Sequence, residues 1–560
     1  MGKVESMKKR LLTIIGVLLI AAALFTVIHF IWSDLYIAEF DADNAETVIW
    51  TQVTLETERL IDPDFFYSSQ MIPVGGNLFF IPFVKAFGVG ITALRAGYTV
   101  FAVLFAALLT LALRVLQPSW DLAMIGSGLI MICTTATETL RDIIWAHSVY
   151  YSLAVVCGLM CIGSLAQYLR GKRVLCGMLF FFSVLLCSIN GSVVLLYTAL
   201  PFAAAIFLES MNRNYPGEGF MKEPFLLICA AIVCGVVLNK VICSGNPSQN
   251  WGQYMELAPV SQWIENLCLL PERWLEVFFD LPETSVPVMS SVGIKLILRL
   301  GTALVLSILP FFSFFMLGCT KSRMTRIFIL YHWILCAVLL FFFIFGMISN
   351  VSHRLIPLWF SCLIVDWLTM TWMLNEKGTY IHTYIHTYIL FIGAASVCLT
   401  VLFAGMTSVS VVRKPANLAV WYGNDSIYNV LETHGLTHGY TTEFLYGNSV
   451  TVLSNGEITS RVITVTEDGF KMPSYMNKAA WYEDTPTDER TFLICWEREL
   501  LRQYPWLEDE AVEVLRATQY TPIYDKTDGF FILVYDRDVI AENLRENHAF
   551  GDVGTQASEN

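Results

Sequence analysis

An acidic stretch that could carry out acid–base chemistry follows closely after the first hydrophobic segment of the sequence. It contains Glu39, Asp41, Asp43 and Glu46. The hydrophobic segment, about residues 11–32, is long enough to cross a bilayer, because a spanning helix needs about 20 apolar residues. Carboxylates near hydrocarbon are costly, so acids held at a membrane surface indicate a function. A carboxylate in such a place can act as a general base and accept a proton from a reacting hydroxyl group.

Cationic side chains are the second kind of candidate. Residues 352–357 read Ser-His-Arg-Leu-Ile-Pro and place His353 and Arg354 where a loop returns to an apolar segment. An arginine at headgroup level can bind two phosphate oxygens at once, although an interfacial arginine often has no ligand and only extends into the headgroup region. Lys240, near the end of another apolar segment, has the same two interpretations.

A polar loop between two apolar segments, residues 137–151, contains a third group: Glu138, Arg141, Asp142 and His147. If the loop is helical, the first three side chains share one face, and pairing among themselves is the simplest interpretation. A single histidine such as His147 is more often structural than catalytic.

The composition places these groups in a membrane protein. Of the 560 residues, 55% are hydrophobic and 15% are charged, whereas about a quarter of the residues of a soluble protein are charged. No CxxC, HExxH, GxGxxG or P-loop occurs in a context that would support it. The sequence therefore argues against a soluble metalloenzyme, dinucleotide enzyme or ATPase.

Eleven apolar segments predict a mainly α-helical, polytopic transmembrane bundle. Their approximate bounds are 11–32, 96–116, 120–137, 149–168, 174–190, 191–209, 224–242, 291–318, 327–349, 355–375 and 386–410. Basic residues before the first segment and in alternate short loops predict a cytoplasmic N-terminus and an extracytoplasmic C-terminus. These residues are Lys3, Lys8, Lys9, Arg10, Arg170, Lys172, Arg173, Arg213, Lys222, Lys321, Arg323, Arg326 and Lys377. The break at Asn190 leaves open whether 174–209 is two spans or one bent unit.

The sequence becomes polar at about residue 411, with about two dozen Asp and Glu against about a dozen Lys and Arg. This change predicts two domains: a transmembrane domain of residues 1–410 and an extracytoplasmic soluble domain of residues 411–560. The acidity of the soluble domain argues against a nucleic-acid partner. In this domain we predict a helix at 427–436, a β-hairpin of 449–454 and 460–465 around Asn455-Gly456, helices at 489–504 and 509–518, and a strand at 529–535. Such an order predicts a small α+β domain.

The first outer loop, residues 33–95, is long for a connection between two spans, and long loops with their own structure are usually functional. Apolar positions such as Val48 and Val53 predict a helix that lies in the membrane interface, with Trp50 at headgroup depth. Asp43 then lies at or just before the helix N-terminus, where it can serve as the N-cap. Asp41, two residues earlier, is not required for that cap.

Four stretches of this loop follow one pattern: 40–43 (Phe-Asp-Ala-Asp), 45–50 (Ala-Glu-Thr-Val-Ile-Trp), 63–67 (Pro-Asp-Phe-Phe-Tyr) and 75–82 (Gly-Gly-Asn-Leu-Phe-Phe-Ile-Pro). Together with the topology, the pattern resembles the polyprenyl-phosphate-dependent membrane glycosyltransferases of the GT-C class, which include protein O-mannosyltransferases and aminoarabinose transferases. Asp-Ala-Asp stands where that family commonly has Asp-Glu, so the base is left open between Asp41 and Asp43, and the family's spacing favours Asp43. Arg354 resembles the arginine of the family's Arg-Tyr-x-x-Pro element, with Leu355 in place of the tyrosine.

The resemblance implies an inverting transfer of a sugar from a polyprenyl-phosphate donor to a hydroxyl of a glycan, lipid or protein at the outer face of the plasma membrane. It implies Asp43 or Asp41 as general base, Arg354 as a ligand of the lipid phosphate, and Glu138 or Asp142 as a second acid that binds sugar or a divalent ion. The further candidates for binding lipid phosphate or sugar come from the residues themselves: His353, Arg141, His147 and Lys240. A divalent cation, Mg²⁺ or Mn²⁺, is left open as a cofactor. The short N-terminus and the lack of a eukaryotic retention signal indicate a bacterial membrane.

Other functions remain as alternatives. A transporter or flippase for lipid-linked sugars would use intramembrane acids, of which Asp366 is the clear example. A polymerase of lipid-linked oligosaccharides is a closer relative of the glycosyltransferase, and a membrane sensor would leave the structured loop unexplained. A disulfide between Cys243 and Cys268 is also left open.

Overall fold

The structure, a computed structural model, describes most of the chain. The described residues are 2–68, 71–117, 119–147, 151–171, 174–211, 221–246, 256–282, 284–347, 350–375, 380–413, 426–442, 446–466, 469–483, 489–496, 511–519 and 528–546. Four of the basic residues that support the predicted orientation lie outside the described residues: Lys172, Arg173, Arg213 and Lys377.

Contacts along the chain divide it into two compact units. The membrane unit comprises Met1–His29, Thr99–Lys240 and Trp251–Val412. The loop–sheet unit comprises Phe30–Tyr98, Val241–Asn250 and Arg413–Asn560. The first outer loop thus packs with the polar C-terminal region, although the two are more than 300 residues apart in the sequence.

Helices account for the membrane unit. Two of these helices, α1 (Gly2–Trp32) and α5 (Ile91–Leu116), also contribute residues to the loop–sheet unit. The other helices are α6 (Trp120–Cys133), α7 (Glu138–Trp145), α8 (Tyr151–Gly171), α9 (Val174–Ile189), α10 (Gly191–Val194), α11 (Leu200–Met211), α12 (Lys222–Ile242), α13 (Val260–Phe278), α14 (Ser291–Ile308), α15 (Ser313–Cys319), α16 (Arg323–Phe345), α17 (Ile356–Asn375) and α18 (Tyr380–Arg413). A π-helical turn, Leu195–Ala199, joins α10 to α11, and 3-10 turns at Leu309–Phe312 and Ser352–Leu355 precede α15 and α17.

Eight stretches of the described chain are long and apolar enough to cross a membrane, and one bent helix pair would make nine. The eight are Ser6–Trp32, Ile91–Leu116, Tyr151–Gly171, Gly191–Met211, Lys222–Ile242, Ser291–Cys319, Arg323–Phe345 and Ser352–Leu374. The protein is therefore a multi-pass membrane protein, but the predicted count of eleven is not confirmed. The apolar segments at 174–190 and 386–410 are not among the eight candidate spans. Their apolar helices, Val174–Ile189 and Phe391–Met406, are shorter than a candidate span.

The predicted span at 120–137 is the bent pair, in which α6 and α7 make an angle of 112°. A threonine-rich turn causes the break. Thr134 and Thr135 donate their hydroxyls back to the carbonyls of Met131 and Ile132, at 2.6 and 3.0 Å, which competes with continuation of the helix. Thr137 then starts α7, because its hydroxyl accepts the Leu140 backbone N–H at 3.1 Å as an N-cap.

The loop–sheet unit contains three helices from the first loop, α2 (Asp34–Ala38), α3 (Ala42–Thr57) and α4 (Gly76–Phe87), and short helices at Ile427–Thr433, Gly447–Leu453, Ala480–Glu483 and Val539–Glu546. Its strands are β1 (Phe65–Phe66), β2 (His438–Thr441), β3 (Thr459–Val462), β4 (Thr464–Thr466), β5 (Gly469–Lys471), β6 (Asn477–Lys478), β7 (Thr491–Trp496), β8 (Glu513–Gln519) and β9 (Asp528–Tyr535).

Five strands form a mixed sheet in the order β3-β2-β7-β9-β8, in which β3, β2 and β7 are parallel and β9 is antiparallel to both β7 and β8. Strand β9 lies inside the sheet, which explains its continuous apolar sequence. Aromatic and aliphatic side chains of the sheet and its flanking helices form the core, including Tyr440, Leu493, Phe531 and Ile540.

Several sequence-based predictions for the C-terminal region are wrong, while its α+β character agrees with the sheet and helices. Residues 449–454 lie mainly in the helix Gly447–Leu453, so the predicted hairpin does not form, although Asn455 and Gly456 do adopt positive φ angles of 52° and 83°. Parts of both predicted helices, at 489–504 and 509–518, form strands β7 and β8. The helix at Ile427–Thr433 and strand β9 are confirmed.

Candidate functional site

The acidic stretch surrounds the N-terminus of α3, and its members have different roles. Asp41 is the N-cap: its carboxylate accepts the Asn44 backbone N–H at 3.1 Å, and the Asn44 side chain accepts the Asp41 N–H at 2.8 Å. This reciprocal capping box satisfies two N–H groups that the helix leaves unbonded. The prediction that Asp41 is not required for the cap is therefore wrong. The chain enters the helix at Asp41, with an extended backbone (φ −136°).

Asp43 lies in the first turn of α3 and is half-buried. The positive end of the helix dipole stabilises a carboxylate in this position. Glu46, one turn further along, is buried and accepts a hydrogen bond from the Ser68 hydroxyl. Glu46 was not among the predicted site residues, although its spacing of three from Asp43 on a helix could have identified it.

Most of α3 is buried in protein, whereas the sequence predicts a helix with one face exposed in the membrane interface. Trp50, expected at headgroup depth, is 3% exposed, and its indole N–H faces the Met476 sulfur at 3.2 Å. Its ring also packs edge-on against Tyr67 at 5.2 Å. Burial raises the pKa of Tyr67 far above its usual value, so this hydroxyl stays protonated while it accepts the Asp62 N–H at 2.9 Å.

The C-terminal region holds α3 and the chain that follows it. Strand β1 pairs with β6, which aligns Phe65 with Lys478. Lys478 also forms an ion pair of 2.7 Å with Glu56, in the last turn of α3. Trp481 packs against Phe65 at 5.5 Å, and the buried Arg461 guanidinium lies 3.8 Å from the Trp481 ring centre. Burial lowers the pKa of Arg461.

In the membrane unit, the polar loop of residues 137–147 folds as α7 and its flanks. Arg141 is buried and donates to the Thr135 carbonyl at 3.3 Å. The Asp142 carbonyl accepts the His147 N–H at 2.7 Å, which turns the chain after the helix. Glu138 is exposed, and its backbone N–H bonds to the carboxylate of Asp280 at 3.1 Å. Residues 138–145 of this loop thus form the short helix α7, and the predicted roles of their side chains stay predictions.

The structure brings three of the predicted residues together at the start of α17. His353 and Arg354 lie in the 3-10 turn Ser352–Leu355, and His147 is within electrostatic range of His353. The His353 ring packs on Tyr151 at 5.1 Å, and Tyr151 stacks in turn on Tyr197 at 6.1 Å. Three segments that are distant in the sequence thus form one cationic and aromatic group, the His–Arg cluster (His147, Tyr151, Tyr197, His353 and Arg354).

Tyr197 was not identified from the sequence. It lies in the π-helical turn Leu195–Ala199, where one extra residue disturbs the usual helical bonds, and its carbonyl accepts the Tyr331 hydroxyl at 3.0 Å. Such turns are frequent at functional sites. The available sequence signal was the Asn190-Gly191 break just before the turn, at which Gly191 has a φ of 86°.

Lys240 differs from the cluster residues, because it is exposed in the last turn of α12. The contacts of the described chain do not connect it to the His–Arg cluster. Cys243 and Cys268 do not form a disulfide with each other, so the bond left open by the sequence is not present in the structure.

The arrangement of the His–Arg cluster suits anion binding. The Arg354 guanidinium presents a fork of N–H donors, and the histidines supply further donors, which matches phosphate oxygens. Across the described part of the chain, no three His, Cys, Asp or Glu side chains converge in a way that could hold a metal ion.

No protein-family model matches this sequence, and no curated protein matches it significantly.

Proposed function

We propose that this multi-pass membrane protein is an inverting glycosyltransferase that takes a sugar from a polyprenyl-phosphate donor. The observation that carries the proposal is the division of roles in the acidic stretch. Asp41 caps α3 and Glu46 bonds to Ser68, while Asp43 is a half-buried carboxylate in the first turn that the capping box does not use. The resemblance of residues 40–82 to GT-C glycosyltransferases supports the same assignment.

In the proposed reaction, Asp43 accepts the proton of an acceptor hydroxyl as the hydroxyl oxygen attacks the anomeric carbon of the sugar. The new carbon–oxygen bond forms on one face as the bond to the lipid phosphate breaks on the other, through an oxocarbenium-like state, so the configuration inverts. The proton ends on Asp43, and the electron pair leaves with the polyprenyl phosphate.

For the leaving phosphate we propose Arg354 as the principal ligand, assisted by His353 and His147. Fixed N–H donors stabilise charge that develops on a leaving group more strongly than water does in a site of low polarity. The stacked rings of Tyr151 and Tyr197 support the position of His353. An outward-facing site, a plasma-membrane location and a glycan, lipid or protein acceptor are parts of this proposal.

The test uses three variants of two neighbouring acids in the purified full-length protein. Asn caps a helix as well as Asp but cannot act as a base, whereas Ala does neither. We expect Asp43→Asn to lose about 10²–10⁴-fold in sugar transfer from a panel of short-chain polyprenyl-phosphate sugars, since a general base contributes about that much. Asp41→Asn should keep near wild-type activity, and Asp41→Ala should lose about 1 kcal/mol of stability.

The outcomes separate the two acids. A loss confined to Asp41→Asn would make Asp41 the base, and full activity in both Asn variants would remove the acidic stretch from the mechanism. Donor binding is measured in parallel with Arg354→Gln, which should weaken it at least tenfold. The exposed Arg170→Gln is the control for loss of one positive charge.

The main alternative is a transporter or flippase for lipid-linked sugars. Wild-type protein that binds donors and turns over none of them with any acceptor would favour that alternative. A polymerase would instead require a lipid-linked oligosaccharide as the acceptor, which the same assay includes.

A further inference from the structure

An acid lies near the middle of the most deeply buried candidate span. Ser352–Leu374 has 89% of its apolar window buried, more than any other candidate span in the described chain. Asp366, in the α17 part of this span, is 1% exposed. An ionisable side chain at such a depth is costly and is by default a candidate for a function. The glycosyltransferase mechanism proposed above does not use it.

The three buried acids described in the membrane unit differ in their partners. Asp121 accepts a hydrogen bond from the Thr13 hydroxyl, and Glu209 is paired with the buried Arg326 guanidinium at 2.6 and 2.8 Å. Asp366 has only the Cys362 thiol, 4.0 Å from Oδ2, and its Oδ1 has no hydrogen-bond partner among the described residues. A thiol is a weak donor, so Asp366 lacks the compensation that the other two acids have.

A cavity lies beside Asp366. Its volume of about 30 Å³ is lined by residues of α6, α14, α17 and α18. This is room for about two water molecules, since about 10–15 Å³ of such volume holds one. The surface of this cavity is almost entirely apolar, and the Thr400 hydroxyl in its lining already donates to the Ser396 carbonyl at 2.9 Å. The cavity therefore offers Asp366 neither a counter-ion nor well-placed donors for an ionised carboxylate.

The chemistry of the lining selects the ligand. Most of the lining is apolar, with Leu129, Ile130 and Met370 among its members, and one carboxyl with one hydroxyl cannot supply the six or more oxygens typical of a bound Ca²⁺. An ionised carboxylate without a counter-ion in such surroundings is strongly disfavoured, whereas a neutral carboxylic acid needs only hydrogen bonds. Among these ligands, a proton is the one that an apolar lining with a single carboxyl group can hold.

We propose that Asp366 is a proton-binding site in the interior of the membrane unit, in which the carboxyl group beside this apolar cavity holds a proton. The site is separate from sugar transfer. It gives the protein a group inside the bilayer that can take up and release a proton.

Infrared spectroscopy of the full-length protein in lipid bilayers at neutral pH tests the proposal. We expect wild-type protein to show the carbonyl stretch of a protonated carboxylic acid that shifts in D₂O. The band should be absent from Asp366→Asn and retained in Asp121→Asn, the matched buried acid with a hydrogen-bond partner. Asn is nearly isosteric with Asp, and thermal unfolding of both variants checks that they fold.

Each result has a defined meaning. An unchanged band in Asp366→Asn would overturn the proposal, because Asp366 would then carry no proton. A band that is lost in Asp366→Asn but does not shift in D₂O would show that the proton does not exchange, which would overturn a group that takes up and releases a proton. If Asp366→Asn does not fold, wild-type protein is treated with the hydrophobic reagent dicyclohexylcarbodiimide. Mass spectrometry should then find the adduct on Asp366 and not on Asp121 or Glu209, and an adduct on either control acid in place of Asp366 would overturn the proposal.

Discussion

The two units of the protein differ in the hydrogen-bond and charge partners of their buried acids. In the described membrane unit, Glu209 has a full charge partner, Asp121 has one hydroxyl donor and Asp366 has only a distant thiol. In the loop–sheet unit, the described buried acids Glu46, Asp62 and Asp538 all accept hydrogen bonds from hydroxyls or backbone N–H groups. Among these described buried acids, Asp366 of the membrane unit is therefore the one with the weakest hydrogen bonding. The candidate catalytic acid of the loop–sheet unit, Asp43, is only half-buried.

The physical reason is the cost of removing a charge from water. In a sheet or at a helix end, a buried carboxylate finds backbone N–H groups nearby. Inside a bundle of apolar helices the backbone groups are already bonded within each helix, so only another side chain, water or a proton can compensate an acid. The following predictions test this contrast, beginning with the largest expected effect.

Removal of the buried charge partner of Glu209 should be severe. Arg326→Leu leaves Glu209 buried without its cation and should destabilise the protein by about 3–5 kcal/mol. The double variant Glu209→Leu with Arg326→Leu should recover most of this loss, because an apolar pair often replaces a buried ion pair at little cost. Thermal unfolding in detergent provides the measurement.

Arg323→Leu is the matched control. Its side chain is partly exposed, and its Nε lies 4.0 Å from Glu209, so its loss should cost less than about 1 kcal/mol. A double variant that is as unstable as Arg326→Leu would show that packing, rather than an uncompensated charge, dominates at this position.

An intermediate effect is expected at Asp538 in the loop–sheet unit. Its carboxylate accepts the Tyr440 hydroxyl at 2.8 Å and the Ala541 N–H at 2.9 Å, so it caps the helix Val539–Glu546 and satisfies a buried hydroxyl. Asp538→Ala should cost about 2–4 kcal/mol, the sum of a lost cap and an unsatisfied hydroxyl. Hydrogen exchange of β9 and this helix provides a local measurement.

Two controls belong to that experiment. Asp538→Asn keeps an acceptor oxygen and should lose much less, and Asp536→Ala removes an exposed acid two residues away. If Asp538→Ala is as stable as Asp536→Ala, hydrogen bonding of buried acids does not explain the contrast between the two units.

The smallest effect is expected for the Glu56–Lys478 ion pair, which connects α3 to β6. The Glu56 side chain is 37% exposed, so solvent screens the pair, and a double-mutant cycle should give a coupling energy below about 1 kcal/mol. Glu56→Gln, Lys478→Met and the double variant complete the cycle, with unfolding as the readout. A coupling above about 2 kcal/mol would mean that this pair is effectively buried, as the Glu209–Arg326 pair is.

Much of the membrane unit could be predicted from the sequence. Continuous apolar stretches such as 91–116 and 323–345 form helices because a backbone in hydrocarbon must satisfy its own hydrogen bonds. The span count was less predictable, since hydropathy does not detect the turn at Thr134–Thr137, where threonine hydroxyls compete for helical carbonyls. The C-terminal region was harder still. The helix Gly447–Leu453 is buried on every side, so it shows no amphipathic period, and its β-branched residues favoured a strand.

The candidate site, too, was predictable from the sequence only in part. The sequence by itself determined that the protein is a multi-pass membrane protein and which acids and cations have the right types to react or bind, because these are local properties of composition. Only the tertiary structure decided that Asp41 rather than Asp43 is the helix cap, that Trp50 is buried, and that His147 and His353 come together. Those outcomes depend on packing between segments distant in the sequence, and no local pattern of residues encodes such pairings.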